Sequence, residues 1–243
     1  MNSIFKALVL GSLITGSALP AFSQTPFQAG LNFLVGVPQG EFADNVSDPG
    51  FGFSGHFGYT IPRSVFAIGA NLGFLVYGSE TRKEPFSETI PDVTVDVSRT
   101  NSIFQGHLMF RIQPVNGFLA PYIDGLFGFN YLFTETSVKN EDSFNGYDEI
   151  ASSTNYDDIA FSYGGGGGMM LRVYSGMHEN DETGEEKPFQ VFIDLGMRYL
   201  LGGEAEYLTK GSITITEDSR VLYSPSKSKT DLLNFHIGAS VAF

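Results

Sequence analysis

Eight ionisable side chains in this sequence stand where they could trade protons, pair charges or hold an ion: His56, His107, Arg111, Asp124, Arg172, Asp194, Arg198 and His236. Each falls on the small, polar side of a stretch in which apolar and polar residues alternate. Imidazole beside carboxylate moves protons near neutral pH, and it also suits a divalent metal. The spacing defines no ligand set, so no metal is assigned. With three guanidinium groups present, mutual neutralisation as a hydrogen-bonded ionic plug is the favoured reading, and a gated proton or ion path is the functional alternative. The turn at Val115–Gly117 is expected to place His107 opposite Asp124 or one diagonal step away.

Two further patterns bear on chemistry. Ser54 and Ser240 lie two and four residues from His56 and His236, which raises the chemistry of a lipid-modifying enzyme. No nucleophile elbow surrounds either serine, so no catalytic residue is assigned. Gly164–Gly168 is an unbroken glycine run without the lysine and hydroxyl residue of a phosphate loop. Inside a strand such a run marks close approach. Gly164, Gly166 and Gly168 are expected to face the interior and leave room for Phe192, Met170 or arginine side chains. No cofactor is assigned.

Composition removes whole classes. The 243 residues carry 14 Lys+Arg against 27 Asp+Glu, a formal charge of −13, which has the wrong sign for nucleic acid. There is no cysteine, which excludes disulfide frameworks, zinc–thiolate sites and thiol nucleophiles. Charged residues are only 17%, while Gly (29) and Phe (23) are abundant, a balance foreign to disorder.

The elements that must position the polar set are strands. Lys6, the apolar Ala7–Leu19 and the small residues of Ala21-Phe22-Ser23 predict a signal peptide over 1–23, leaving 24–243 as one domain. From there period-two alternation recurs in eight segments near 26–36, 50–60, 64–78, 99–113, 118–133, 158–174, 188–207 and 229–243. Long connections at about 37–49, 79–98, 134–157 and 208–228 alternate with short ones at Ile61–Arg63 and Pro114–Gly117. An acidic stretch, Ser175–Lys187, takes the place of the third short turn. This order fits an up-and-down barrel with two unlike ends. Ser212–Thr216 and Arg220–Tyr223 are expected to form a hairpin above the barrel rather than a ninth and tenth strand.

The two faces of the segments decide what surrounds the barrel. One face carries Leu31, Phe33, Phe51, Phe53, Phe57, Phe66, Ile68, Leu72, Phe74, Ile123, Phe127 and Phe129; the other carries Asn32, Ser54, His56, Gly58, Asn71, Gln105, His107, Asp124 and Asn130. Eight strands enclose a bore only just wide enough for side chains. Small and polar residues fit it and the bulky set does not, so the apolar face points outward into lipid. Closure also pairs every backbone group, as hydrocarbon requires. Tyr59, Tyr77, Tyr131 and Tyr199 are expected in the interfacial girdles. The fold class is therefore all-β, a single up-and-down antiparallel transmembrane β-barrel of eight strands. The outer loops carry five acids and two bases over 79–98, and six acids and one lysine over 134–157. Such loops suit divalent cations that bridge to lipopolysaccharide.

Gly36-Val37-Pro38-Gln39-Gly40-Glu41-Phe42, the block Pro121–Phe129, Gly202–Tyr207 and the final strand Asn234–Phe243 resemble the outer-membrane β-barrel domain proteins. These are OmpA/OmpX-like eight-stranded barrels of the Bacteroidetes type. The resemblance spans nearly all of the chain after the signal peptide and implies the bacterial outer membrane, with its lipid and lipopolysaccharide as surroundings. In such proteins a terminal aromatic is the insertion signal read by the barrel-assembly machinery, and Phe243 stands at that place. The acidic Ser175–Lys187 turn departs from the tight periplasmic turns of the group. The expected function is that of a non-enzymatic monomer with an envelope-structural or interaction role, its extracellular ligand unknown. A lipid-modifying enzyme or a narrow ion or small-solute channel is the alternative.

Overall fold

The computed structural model describes residues 25–243 except 88–89, 114–116, 141–148, 180–185, 210–211 and 216–220. The expected signal peptide, 1–23, lies outside the described residues. In chain order the elements are β1 (Phe27–Pro38), α1 (Gly40–Asn45), β2 (Gly50–Thr60), β3 (Phe66–Ser87), β4 (Ile90–Ile112), β5 (Leu119–Asn140) and β6 (Glu149–Glu179). They continue with β7 (Glu186–Gly202), β8 (Glu204–Tyr207), β9 (Ile213–Ile215), β10 (Val221–Tyr223), β11 (Ser226–Lys229) and β12 (Leu232–Ala242).

Eight of the strands close a barrel in the order β1-β12-β7-β6-β5-β4-β3-β2, every pair antiparallel. An even strand number returns both ends of the barrel chain to one rim. There Phe27 and Phe243 exchange backbone hydrogen bonds of 3.1 and 2.9 Å. The hairpin expected above the barrel lies outside its ladder: β9 pairs with β10, and β8 with β11, as separate two-stranded sheets.

Alternation along the strands separates outside from inside. Leu31, Phe53, Phe57, Phe66, Leu72, Ile123 and Phe127 all stand exposed on the exterior, Leu31 to 77%. The belt they form runs from Phe51 to Tyr59 on β2 and from Phe235 to Phe243 at the end of β12. These lengths match the roughly 9–11 residues a tilted strand needs to cross hydrocarbon. A belt of this size would be unfavourable in water. It is the surface of a barrel immersed in lipid.

The two rims are unlike. At the rim away from the termini, Phe42 of α1 is fully buried, with its ring edge-on to Tyr77 (5.7 Å) and Tyr207 (5.1 Å). The helix is a six-residue turn with no side-chain cap, so tertiary contact must hold it. Gly40 enters it with a φ of 54°, a conformation glycine adopts without steric cost. Under this cap Leu34, Leu75, Ile103, Leu132, Leu200 and Leu232 fill the bore. At the terminal rim the bore widens into a vestibule of about 460 Å³ lined by Gln28, Tyr59, Gln190 and Phe192.

Several expectations need correction. The stretches 79–98 and 134–157, read as loops, are for the most part continuous strand, because β3 runs to Ser87, β4 starts at Ile90, β5 reaches Asn140 and β6 starts at Glu149. Hydrophobic alternation marks only the part of a strand that lies in lipid; backbone pairing continues beyond it with polar side chains. Thr81 and Ser98 bond across the β3–β4 ladder at 2.9 Å, and Ser152 donates to Glu135 across β5–β6 at 2.8 Å. Tyr156, in the same upper region, donates to Glu206, and that bond with burial raises its pKa to about 12. Of Ser175–Lys187, the described residues Ser175–Glu179 and Glu186–Lys187 belong to the β6–β7 ladder, with His178 opposite Lys187 and Glu179 opposite Glu186, and 180–185 lie outside the described residues. The 188–207 segment breaks at Gly203, where β8 leaves the barrel. Tyr77 is no girdle residue: alternation from Phe74 turns it inward, where it is 5% exposed.

Phe42 should control the cap alone. Removing a buried phenylalanine side chain typically costs about 3–5 kcal/mol, and here that loss falls on α1 rather than on the barrel ladder. Limited proteolysis of Phe42→Ala in micelles should therefore cut within 39–48 while the barrel strands stay protected. A cleavage pattern identical to wild type would show that Phe42 does not hold the cap.

Candidate functional site

The middle of the bore holds the charges. Asp124 on β5 stands directly opposite Arg111 on β4. Its Oδ1 accepts the Arg111 Nε–H at 2.7 Å and its Oδ2 an Nη2–H at 3.0 Å, a bidentate pair. Oδ2 also accepts Nη2–H and Nε–H bonds from Arg198 at 2.7 and 3.2 Å. Arg198 spends its Nη1 on the Asn71 carboxamide oxygen at 2.7 Å. One carboxylate thus holds two guanidinium groups in a place water barely reaches, the side chains of Arg111 and Asp124 being 1% and 0% exposed.

Reach across the bore depends on the glycine run. In the register Asp124 faces Gly166, which faces Arg198, so two charged side chains meet over a residue without one. A Cβ on Gly166 would fall 2.1 Å from the Met197 carbonyl oxygen and 2.8 Å from Arg198 Cγ. One rung away, Tyr122 faces Gly168, then Gly196, then His236. The phenol crosses both glycines, and its hydroxyl donates to Asp194 Oδ1 at 2.7 Å and lies 2.8 Å from His236 Nε2. A hydroxyl has one hydrogen, so if it goes to Asp194, His236 must donate through Nε2. The result is a directed chain from imidazole to phenol to carboxylate. The Arg111 guanidinium lies 3.8 Å over the Tyr122 ring, joining this chain to the ion cluster.

The sequence-predicted set is therefore partly assembled. Arg111, Asp124, Arg198, Asp194 and His236 come together, whereas three residues do not. His107 is opposite Gly128 rather than Asp124, and it bonds Ser162 at 3.0 Å instead. The turn between β4 and β5 is centred two residues later than the spacing indicated, which shifts every pair on the rung by four. His56 stands opposite Asn71 in the β2–β3 ladder, but its contact is with Ser240 Oγ at 3.4 Å rather than with the charges of the cluster. Arg172 is half-buried near the terminal rim, opposite Phe192, next to the irregularity between Arg172 and Tyr174, and is no member of the ion cluster. The glycines do face inward as expected, but they make room for Tyr122 and Arg198, not for Phe192 or Met170.

Tyr122 and Asn71 are the functional residues that sequence reasoning missed. Tyr122 figured in the sequence only within the block Pro121–Phe129. Its parity with Asp124 was the available signal, since residues two apart share a face. Among the described residues, no group of three or more His, Asp or Glu side chains is arranged to hold a metal ion.

Apolar layers bracket the cluster. Along β5 the inward residues run Ala120, Tyr122, Asp124, Leu126, and along β7 they run Phe192, Asp194, Gly196, Arg198, Leu200. Ala120, Met170, Phe192 and Ala242 form the layer toward the terminal rim, and Leu34, Leu75, Ile103 and Leu200 belong to the layer under the cap. Within this low-dielectric bracket Arg111, Arg198 and Asp124 survive as charges because they bond one another.

No protein-family model matches the chain, and no curated protein matches it. Among solved structures it is similar to Neisserial surface protein A at 12% identity, over 89% of this chain and 95% of that one, with a TM-score of 0.39. It is also similar to the attachment invasion locus protein of Yersinia pestis at 13% identity, over 89% and 97%, with a TM-score of 0.34. A major outer membrane protein from Thermus thermophilus is similar at 8% identity, over 89% and 99%, with a TM-score of 0.38.

The cluster makes a graded prediction. Asp124→Asn leaves two buried guanidinium groups without their anion and should destabilise the barrel by about 3–5 kcal/mol. Tyr122→Phe breaks one neutral and one charged hydrogen bond and should cost about 1–3 kcal/mol. Urea unfolding in micelles measures both; equal losses would mean that the ion pair carries no special weight.

Proposed function

We propose that the protein is an integral barrel of the bacterial outer membrane that acts through its outer surface and passes nothing through its lumen. The observation that carries this reading is the ion cluster closed between two apolar layers, with α1 seated over the far rim. A path for solute would have to break the Asp124 bonds to both arginines and lift Phe42 from between Tyr77 and Tyr207. The apolar belt supports residence in lipid, and the rim that holds both termini is the periplasmic one. Phe243, exposed beside Phe27 at that rim, is suitably placed as the insertion signal.

What the protein offers to the outside is the tall side of the barrel. β3, β4, β5 and β6 continue past the belt, while β2 begins only at Gly50, whose neighbour Phe51 faces Val76. Beyond Val76, β3 pairs with β4 alone among the described residues, so one backbone edge of its upper half is open. The side chains there are hydroxyl-bearing and charged (Ser79, Glu80, Thr81 and Arg82). This wall suits contact with a protein partner or, through divalent cations, with lipopolysaccharide. An open edge is also a site at which a partner strand can add.

A narrow ion path is the second reading, and a specific observation favours it. Asn32, Gln105, His107 and Asn130 line the bore with polar side chains beside the ion cluster, where a lipid-spanning plug could have been apolar throughout. The lipid-modifying-enzyme reading has less support. Ser240 Oγ lies 3.4 Å from the His56 imidazole, but among the described residues no acid is bonded to the other ring nitrogen, as a triad would need.

Planar-bilayer recording of the refolded chain, with His107→Ala and Asp124→Asn beside it, separates the two. All three proteins should be electrically silent. Steady conductance that either substitution alters would make the lumen the working part and displace the surface reading.

A further inference from the structure

The vestibule at the terminal rim, about 460 Å³, belongs neither to the ion cluster nor to the outer wall. It ends against the apolar layer to which Phe192 and Ala242 belong, so it is closed toward the bore. Gln28 and Gln190 stand on one rung with Ala242 between them, because β12 pairs with β1 on one side and β7 on the other. Gln28 shares its face of β1 with Asn32 and Leu34, and Gln190 shares its face of β7 with Phe192 and Asp194, so both point into the barrel. They are 8% and 7% exposed, and both line the vestibule. The Gln28 NH2 donates to the Met170 sulfur at 2.7 Å, a weaker acceptor than oxygen. The Gln190 carboxamide makes no hydrogen bond among the described residues. Thr60 and Gln113 add a hydroxyl and a third carboxamide to the lining. Among the described residues of that lining only Arg63 is charged, and it stands exposed at the lip.

This lining selects a ligand by exclusion. A charged group carried to the inner end would lose water and find no counter-ion there, and a purely apolar molecule would leave the carboxamides dry. A carboxamide offers a donor and an acceptor side by side, and the group that answers both is another amide. Closure adds a second limit, because whatever enters the vestibule must terminate inside it. A free peptide terminates in an ammonium or a carboxylate, both ionised at neutral pH; a sugar terminates in hydroxyls. The space holds about 15 waters at roughly 30 Å³ each, room for a mono- or disaccharide. Phe192 and Val65 supply apolar surface for the C–H face of a ring. We propose that the vestibule binds the end of an N-acetylated amino sugar, its acetamido group between Gln28 and Gln190 and its ring against Phe192 and Val65. Such a site passes nothing through the lumen and works at the rim opposite the outer wall.

The test uses the full refolded chain in micelles of a sugar-free zwitterionic detergent, with N-acetylglucosamine and diacetylchitobiose as probes. Glucose lacks the amide, glucosamine carries a charge in its place, and N-acetylglycine methylamide lacks the ring; these are the comparison ligands. Ligand-observed NMR should give the N-acetyl sugars a Kd of about 1 mM, at least about tenfold tighter than each comparison ligand. Saturation transfer should be largest at the acetyl methyl group. Gln190→Met keeps the size of the side chain and removes its hydrogen bonds, and should weaken N-acetylglucosamine about tenfold; Gln28→Met should weaken it about threefold. If either variant fails to fold by circular dichroism, the ligand series on the unaltered chain still decides. Three results would each overturn the assignment: no binding of either N-acetyl sugar up to about 50 mM, any comparison ligand as tight as N-acetylglucosamine, or affinity unchanged in folded Gln190→Met.

Discussion

One carboxylate between two guanidinium groups sets the terms for the rest of this barrel. Asp124 accepts four N–H bonds from Arg111 and Arg198 in a bore that admits side chains and little else. Removing charges from water is costly, and only close, multiple hydrogen bonds recover the loss. The wall on that side must therefore be thin enough for arms from β4, β5 and β7 to meet. Gly166 and Gly168 make it thin. The glycine run is the shape the strand takes so that Arg198 can reach Asp124 and Tyr122 can reach Asp194 and His236.

The same constraint orders the bore along its length. Charges so strongly coupled are best kept from water on both sides, and apolar layers lie above and below them. The layer under the cap extends into Phe42, Tyr77 and Tyr207, so interior packing and rim closure form one continuous body. The terminal rim has no such continuation and opens as a vestibule. This asymmetry closes the interior at the capped rim and leaves it open at the terminal one.

Outside, lipid and water divide the strands by chemistry rather than by pairing. Within the belt, phenylalanine and leucine face hydrocarbon. Above it the ladders of β3–β6 continue with threonine, serine and charged residues that bond across the strands. Where β2 stops and β3 goes on, an edge opens.

The sequence by itself determined the strand count, the antiparallel order and which residues face lipid. All three rest on period-two alternation, a local property that hydrocarbon enforces residue by residue. It also placed Arg111, Asp124, Asp194, Arg198 and His236 on the inner face, because parity is inherited along a strand. Which of them touch was decided only by the tertiary structure. Pairing depends on register, and register depends on where the β4–β5 turn is centred; a shift of two residues there replaced His107 with Arg111 as the partner of Asp124. The upper strands were illegible for a different reason. In water a ladder needs no apolar face, so 79–98 and 134–157 carried no alternation that could announce it. The cap lay equally out of reach, since Phe42, Tyr77 and Tyr207 are far apart in sequence and only closure of the barrel brings them to one rim.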